Sequence, residues 1–260
     1  MRDSANMVFL FRQLLSRELA ARYKSTLLGS GWIFMQPLLM LCVYTVVFNF
    51  IFQVRWSGTE STAGFALMLF AGLIVFNFFS EVLTSSPALV LGQPNLVKKV
   101  VFPIELLAAV RVSAAFITAV IGVIILFGAH LLFVGFPKVW FIAAFLPLAA
   151  MFPMLLGLAW LLSAFGVYLR DISQFTGITA SVLLFVSPIF FPPSAMPEAL
   201  RFVLSINPLV TPMQELRAAA LLGVAPDPVA LAFYFCVSCV FARVALACFR
   251  RLSIGFPDVL

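Results

Sequence analysis

Residues 106–134 read LLAAVRVSAAFITAVIGVIILFGAHLLFV, and their reading decides the fold. The run is longer than the ~20 residues an α-helix needs to cross ~30 Å of hydrocarbon. It holds one charged side chain, Arg111, and the chain's single histidine, His130, near its far end. A strand of a membrane β-barrel would alternate apolar and polar residues over ~10 positions. Neither VIGVIILFGA at 120–129 nor VYTVVFNFIF at 43–52 alternates. The run therefore reads as a membrane-spanning helix, and the fold class as all-α integral membrane.

Similar runs lie on both sides of it. The 260-residue chain is 63% hydrophobic and 10% charged, whereas soluble domains carry roughly 25% charged residues. Six spans are expected, over 32–54, 64–86, 106–134, 139–168, 172–191 and 227–249. The long third and fourth runs leave room for tilt, or for a short surface turn where they begin. With 1–31 as an interface segment, 192–226 as outer helices and 250–260 as a tail, the whole of 1–260 forms one transmembrane domain.

Ahead of the first span, a helix over 7–19 would place Met7, Val8, Phe11, Leu14 and Leu15 on one face, with Arg12, Gln13, Ser16 and Arg17 opposite. That pattern suits a helix lying in the membrane interface. Glu18 and Arg22 interrupt the stripe and can pair at i, i+4. No clean apolar core ending in a small-residue cleavage site precedes them, so the first span, rather than a cleaved signal peptide, is expected to be the membrane address.

Charge sets the orientation. With both termini inside, Arg2, Arg12, Arg17, Arg22, Lys24, Lys98, Lys99, Arg111, Arg170, Arg243, Arg250 and Arg251 fall on the inner side or at inner helix ends. Arg55, Lys138, Arg201 and Arg217 fall outside. The net charge of +6 is thus a topology signal, and no nucleic-acid partner is called for. Cys42, Cys236, Cys239 and Cys248 all sit in apolar runs as small fillers, so neither a metal site nor a disulfide framework is expected.

The stretch 187–228 breaks the pattern with Pro188, Pro192, Pro193, Pro197, Pro208, Pro212, Pro226 and Pro228. No single helix survives so many prolines. Thr211 as N-cap, Pro212 in the first position, Gln214 as capping-box residue and Gly223 as stop predict a short helix over 212–222. A second is expected over 195–205. Broken backbone at membrane depth is tolerated where protein buries it or where it lines a cavity. The two helices are therefore expected to re-enter the outer leaflet as an outer gate, with Pro192, Pro193, Pro197, Pro208 and Pro212 at its bends. An ordinary outer loop is the plainer alternative.

Few residues can carry chemistry. No stretch matches the phosphate-cradling G-x-x-x-x-G-K-[ST], so energy is expected from a partner or a gradient. Glu81 is the one clear intramembrane acid, at about the same depth as Arg111 and Arg243 by the ~1.5 Å rise per residue. An unpaired charge there would cost ~3 kcal/mol, so Glu81 is expected to pair with Arg111 or Arg243 in a structural charge cluster. His130 reads as a hydrogen-bonded histidine near the outer interface. Tyr44, Phe48 and Phe52 recur at i, i+4 and i+8, with Asn49 and Gln53 beside them. Aromatic faces can stack on sugar rings as they do on bases, which makes Tyr44, Phe48, Asn49 and Phe52 substrate-channel candidates. The same spacing also suits a helix-packing face.

Three stretches together resemble the permease subunits of ATP-binding cassette exporters for bacterial polysaccharides, the group that moves O-antigen, capsule and teichoic acid. They are LAARYKSTLLGSGWIFMQPLLMLCVYTVVF at 19–48, QPNLVKKVVFPIELL at 93–107, and YLRDISQF at 168–175 followed by SPIFFPPSAMPEALRFVLSINPLVTPMQELRAA at 187–219. The resemblance covers most of the chain in order. It implies a half-transporter in the bacterial inner membrane, working as a homodimer above two copies of a separate ATPase subunit that holds ATP and Mg, with no cofactor in this chain itself. The implied cargo is a lipid-linked polysaccharide, O-antigen first, moving out of the cytoplasm through a lipid-surrounded channel.

On the same likeness, Asn95, Leu96, Lys98, Lys99 and Phe102, together with Arg170 and Asp171, are expected to couple to the ATPase. Plain positive-inside topology is the alternative for the two lysines. Export of a small amphipathic drug by a related half-transporter is the runner-up, which a channel without aromatic walls would favour. A polyprenyl transferase would need clustered acids to hold Mg²⁺, whereas Asp171 and Asp227 are isolated and expected on opposite sides of the membrane, so an enzyme is not expected.

Overall fold

The computed structural model describes residues 2–23, 29–47, 62–94, 102–191 and 198–259. Among them every regular element is helical. In chain order these are α1 (Arg2–Tyr23), α2 (Trp32–Val46), α3 (Thr62–Ser85), α4 (Ala88–Leu91), α5 (Glu105–Phe133), α6 (Phe145–Tyr168), α7 (Ile172–Val186), α8 (Glu198–Ile206), α9 (Val210–Arg217), α10 (Pro228–Ser253) and α11 (Phe256–Val259).

Four helices are long and apolar enough to cross a membrane: Ala63–Ser85, Glu105–Phe133, Val139–Tyr168 and Pro228–Ser253. Trp32–Val46 and Ile172–Val186 are apolar but shorter. The chain is thus a multi-pass membrane protein. The expected first span runs on to residue 54, and everything past residue 47 of it lies outside the described residues. The fourth run does begin with a tight turn, the 3₁₀ segment Val139–Ala144, before α6 proper.

Two expected boundaries are corrected. The fifth run stops at Val186 instead of residue 191, because Ser187 adopts extended geometry (φ −79°, ψ 149°), the conformation that a following proline imposes. The sixth run continues to Ser253. Its start is as expected: the Asp227 carboxylate accepts from the backbone N–H groups of Val229 (2.9 Å) and Ala230 (3.3 Å), with Pro228 in the first turn.

α3 is the centre of the bundle. Phe65 through Phe76 are buried without a break, as expected of a helix wrapped on all sides, and α2, α5, α6, α7 and α9 all pack on it. The most extensive contact joins α6 to α10. It is close because Gly157 lacks a side chain: a Cβ there would lie 2.8 Å from the Phe241 ring and 3.0 Å from Ala242 Cα. Small residues that let helices approach are the main device for packing in lipid, where there is no hydrophobic drive between helices. At the α4 end, a Cβ on Gly166 would run into the Pro87 carbonyl.

The end of the bundle that carries α4 and α11 has a small second core. Val90, Ala164, Val167, Phe249 and Phe256 are buried together, with Phe249 and Phe256 edge to face at 5.7 Å. Polar contacts tie it further: Tyr168 Oη donates to the Leu252 carbonyl (2.7 Å), Trp160 Nε1 to the Glu105 carbonyl (3.1 Å), and Arg250 Nε to Glu105 Oε1 (3.1 Å).

Candidate functional site

A cavity of about 480 Å³ opens between α2, α3 and α5. Its polar lining is Gln36 and Tyr44 from α2, Asn77, Ser80, Glu81 and Thr84 from α3, and Thr118 from α5. Pro37, Met40, Phe70 and Phe78 supply apolar and aromatic wall, and Ala115, Ala119 and Gly122 leave the room. Helical spacing explains the arrangement. Gln36, Met40 and Tyr44 lie at i, i+4 and i+8, and Asn77, Ser80, Glu81 and Thr84 at i, i+3, i+4 and i+7, so each set shares one face. Gly122 allows α5 close to α3, since a Cβ there would stand 3.1 Å from Ile74.

Tyr44 and Glu81, read separately from the sequence, therefore face the same space. Asn77, Ser80, Thr84, Thr118 and Gln36 were missed. Their signal was present: Asn77 is exposed within a helix whose neighbouring residues are buried, and polar residues inside membrane helices face the bundle interior or a cavity. Of the other channel candidates, Phe48, Asn49 and Phe52 lie outside the described residues, as does Gln53.

The charge cluster is corrected. Arg111 pairs with Glu18 of α1, Nη1 to Oε1 at 2.9 Å, and not with Glu81, while Arg243 is exposed on α10. The sequence treats α1 as lying apart from the spans, whereas it packs on α5, and that contact brings Glu18 to Arg111. His130 is hydrogen-bonded as expected, Nδ1 to the Gly135 carbonyl at 3.0 Å, and buried.

Part of the proline-rich segment, α9 with the residues that lead into it, is packed inside the protein, whereas α8 exposes Phe202, Val203 and Ile206. Ile189, Leu209, Met213 and Leu216 have no exposure, and α9 lies against α3 and α6. Asn207 holds its entrance: Nδ2 donates to Ser187 Oγ (2.9 Å) and Oδ1 accepts from Leu209 N–H (2.9 Å). Because Asn207 makes this turn, α9 begins at Val210, ahead of Thr211, which supplies no cap. Pro212 is buried and Pro208 half-buried, whereas Pro192, Pro193 and Pro197 lie outside the described residues. The helix continues as a π-helical turn, Ala218–Leu222, and stops at Gly223 (φ 64°) as expected. The second short helix is α8.

Arg217 anchors the segment. It was expected to mark the outer side by its charge, but it is buried, and its Nε, Nη1 and Nη2 donate to the carbonyls of Met68 (2.9 Å), Pro188 (2.6 Å) and Ile189 (3.0 Å).

Among the expected coupling residues, Arg170 and Asp171 are exposed at the turn between α6 and α7, and Phe102 is half-buried just ahead of α5. Asn95, Leu96, Lys98 and Lys99 lie outside the described residues.

A helical membrane bundle with a polar cavity between spans and a buried, irregular segment packed on the central helix is the architecture of a transporter's membrane component. Residues 9–221 match the family described as ABC-2 type transporter, and the chain belongs to that family. Membership makes it a transport subunit and implies an ATP-binding partner subunit. It is similar to a protein named O-antigen export system permease protein RfbA from Klebsiella pneumoniae, at 25% identity over 98% of this chain and 97% of that one. It is also similar to one of the same name from Myxococcus xanthus, at 25% identity over 96% of this chain and 94% of that one.

Proposed function

We propose that this chain is the transmembrane half of an ATP-driven exporter that moves a lipid-linked polysaccharide, O-antigen first, out of the cytoplasm across the bacterial inner membrane. The cavity between α2, α3 and α5 carries the reading. Its aromatic wall and its row of amide, hydroxyl and carboxylate groups suit a glycan, whose rings stack on aromatic faces and whose hydroxyls exchange hydrogen bonds.

The finer architecture follows from the same reading. Six spans cross the membrane with both termini cytoplasmic, in line with the positive-inside distribution of Lys and Arg. The α8–α9 segment re-enters from the outer side as the gate, a reading supported by the burial of α9 with Pro212. A cavity of about 480 Å³ is the size that holds a small ligand, so a long polysaccharide needs a conduit completed by a second copy of the chain. The homodimer stands on two ATPase subunits that bind ATP and Mg, coupled through 95–102 and through Arg170 and Asp171.

Deletion of the gene in its host tests the proposal. Lipid-linked glycan should accumulate on the cytoplasmic face, with export restored only when both this chain and its ATPase are returned. The cavity's modest size also favours a second reading, export of a small amphipathic compound. Normal surface polysaccharide in the deletion strain, with heightened sensitivity to such compounds, would establish that reading instead.

A further inference from the structure

We infer that a second cleft, between α1, α4 and α5, binds the phosphate of an anionic lipid head group. The inference rests on the proposed function only for the identity of the natural lipid. The cleft, of about 280 Å³, is lined by Arg17, Glu18, Gln93 and Arg111, with Leu14 and Leu107 among its apolar walls. Two guanidinium groups thus face one carboxylate. Glu18 occupies one edge of Arg111 through Nη1, and both side chains remain about a quarter exposed, at 24% and 25%. Arg111 Nε is buried and has no acceptor among the described residues, so the guanidinium is only partly committed, and its exposed quarter is what a ligand would meet. Arg17 is exposed at the rim.

Arginine is the side chain best matched to phosphate, since its planar fork gives paired charge-assisted hydrogen bonds. Basic pockets between helices at a membrane surface take lipid head groups. A lipid rather than free phosphate is favoured by the neighbourhood. On α1, Met7, Val8 and Phe9 are exposed beside exposed Arg12 and Arg17, the mixture by which a helix lies in a bilayer interface. The cleft is also in register with the cavity: on α5, Arg111 lines one and Ala115 the other, one turn apart at ~6 Å. A phosphate held by Arg17 and Arg111 places whatever it bears at the mouth of the cavity.

Native mass spectrometry of the chain assembled with its ATPase provides the test, with dioleoyl phosphatidic acid as probe and dioleoylglycerol as the phosphate-free control. Phosphatidic acid should be retained and dioleoylglycerol lost. Arg17→Gln, at an exposed position that leaves the fold intact, should weaken retention about tenfold, the loss of one charge-assisted contact. Arg111→Lys, which keeps the charge but not the fork, should also weaken it, and Glu18→Gln should strengthen it. Equal retention of the two lipids, or no effect of Arg17→Gln, overturns the inference, as does displacement by inorganic phosphate at matching concentration. Because retention is read without export, a chain that binds phosphatidic acid but exports no polysaccharide keeps this site and loses only the proposed cargo.

Discussion

A methyl group at Gly72 would stand 2.5 Å from Nη2 of Arg217: the absent side chain of one residue is the socket of the other. Arg217 in turn ties α9 to the Met68 carbonyl on α3 and to the Pro188 and Ile189 carbonyls after α7. Gly72→Ala should push the guanidinium off at least one carbonyl and destabilise the chain by ~2–4 kcal/mol, combining overpacking with a lost charged hydrogen bond. Arg217→Lys should cost a similar amount, because an ammonium cannot spread over three carbonyls. Thermal unfolding in detergent measures both.

Asn207 contributes a donor to Ser187 and an acceptor to Leu209. Asn207→Ala removes both and leaves a buried N–H without its acceptor, a loss of ~2 kcal/mol. Asn207→Asp keeps the acceptor and should cost less than the alanine variant. Limited proteolysis across 187–209 should register the same order.

Glycines on neighbouring helices should behave oppositely. At Gly166 an added Cβ meets the Pro87 carbonyl, whereas at Gly177 in α7 nothing lies within 4 Å. Gly166→Ala should therefore destabilise by ~1–3 kcal/mol, while Gly177→Ala should be neutral or stabilise by up to ~1 kcal/mol through helix propensity. The sign of the difference in melting temperature decides.

Arg170→Ala with Asp171→Ala touches two exposed side chains, so the melting temperature should stay within the ~0.5 kcal/mol typical of surface changes. Stimulation of the partner's ATP hydrolysis by the assembled transporter should fall, and a phosphate-release assay reads it directly.

Asn77→Leu should fill the polar face of the cavity without disturbing the core, since Asn77 is exposed to it. Stability should be preserved, and the rate of glycan transport into inverted vesicles should drop several-fold.

The spans were legible because apolar length is a one-dimensional property: the runs at 64–86, 106–134 and 227–249 correspond to helices whose ends differ by a few residues. Gly223 was legible as a stop because a left-handed turn favours glycine there, whereas the capping role of Asp227 was not read and Thr211, read as a cap, supplies none. Arg111 was misassigned because its partner, Glu18, lies on a helix whose docking onto α5 depends on tertiary packing alone. Arg217 was misread for a related reason. Charge counting assumes solvated arginines, and nothing in a sequence marks three carbonyls converging on one. The cavity's polar face on α3 was in principle readable from the spacing of Asn77, Ser80, Glu81 and Thr84, but that Tyr44 shares it depends on how α2 meets α3.

α6 and α10 are fastened along their whole contact, by Gly157 against Phe241, by Tyr234 Oη on Met154 Sδ at 3.2 Å and by Tyr168 on Leu252. They form a fixed post. α7, by contrast, hangs from that post by the Arg170–Asp171 turn and leans mainly on α3. α7 therefore links the exposed Arg170–Asp171 turn at one end to the carbonyls held by Arg217 at the other, so a displacement of the turn would be felt at Pro188 and Ile189.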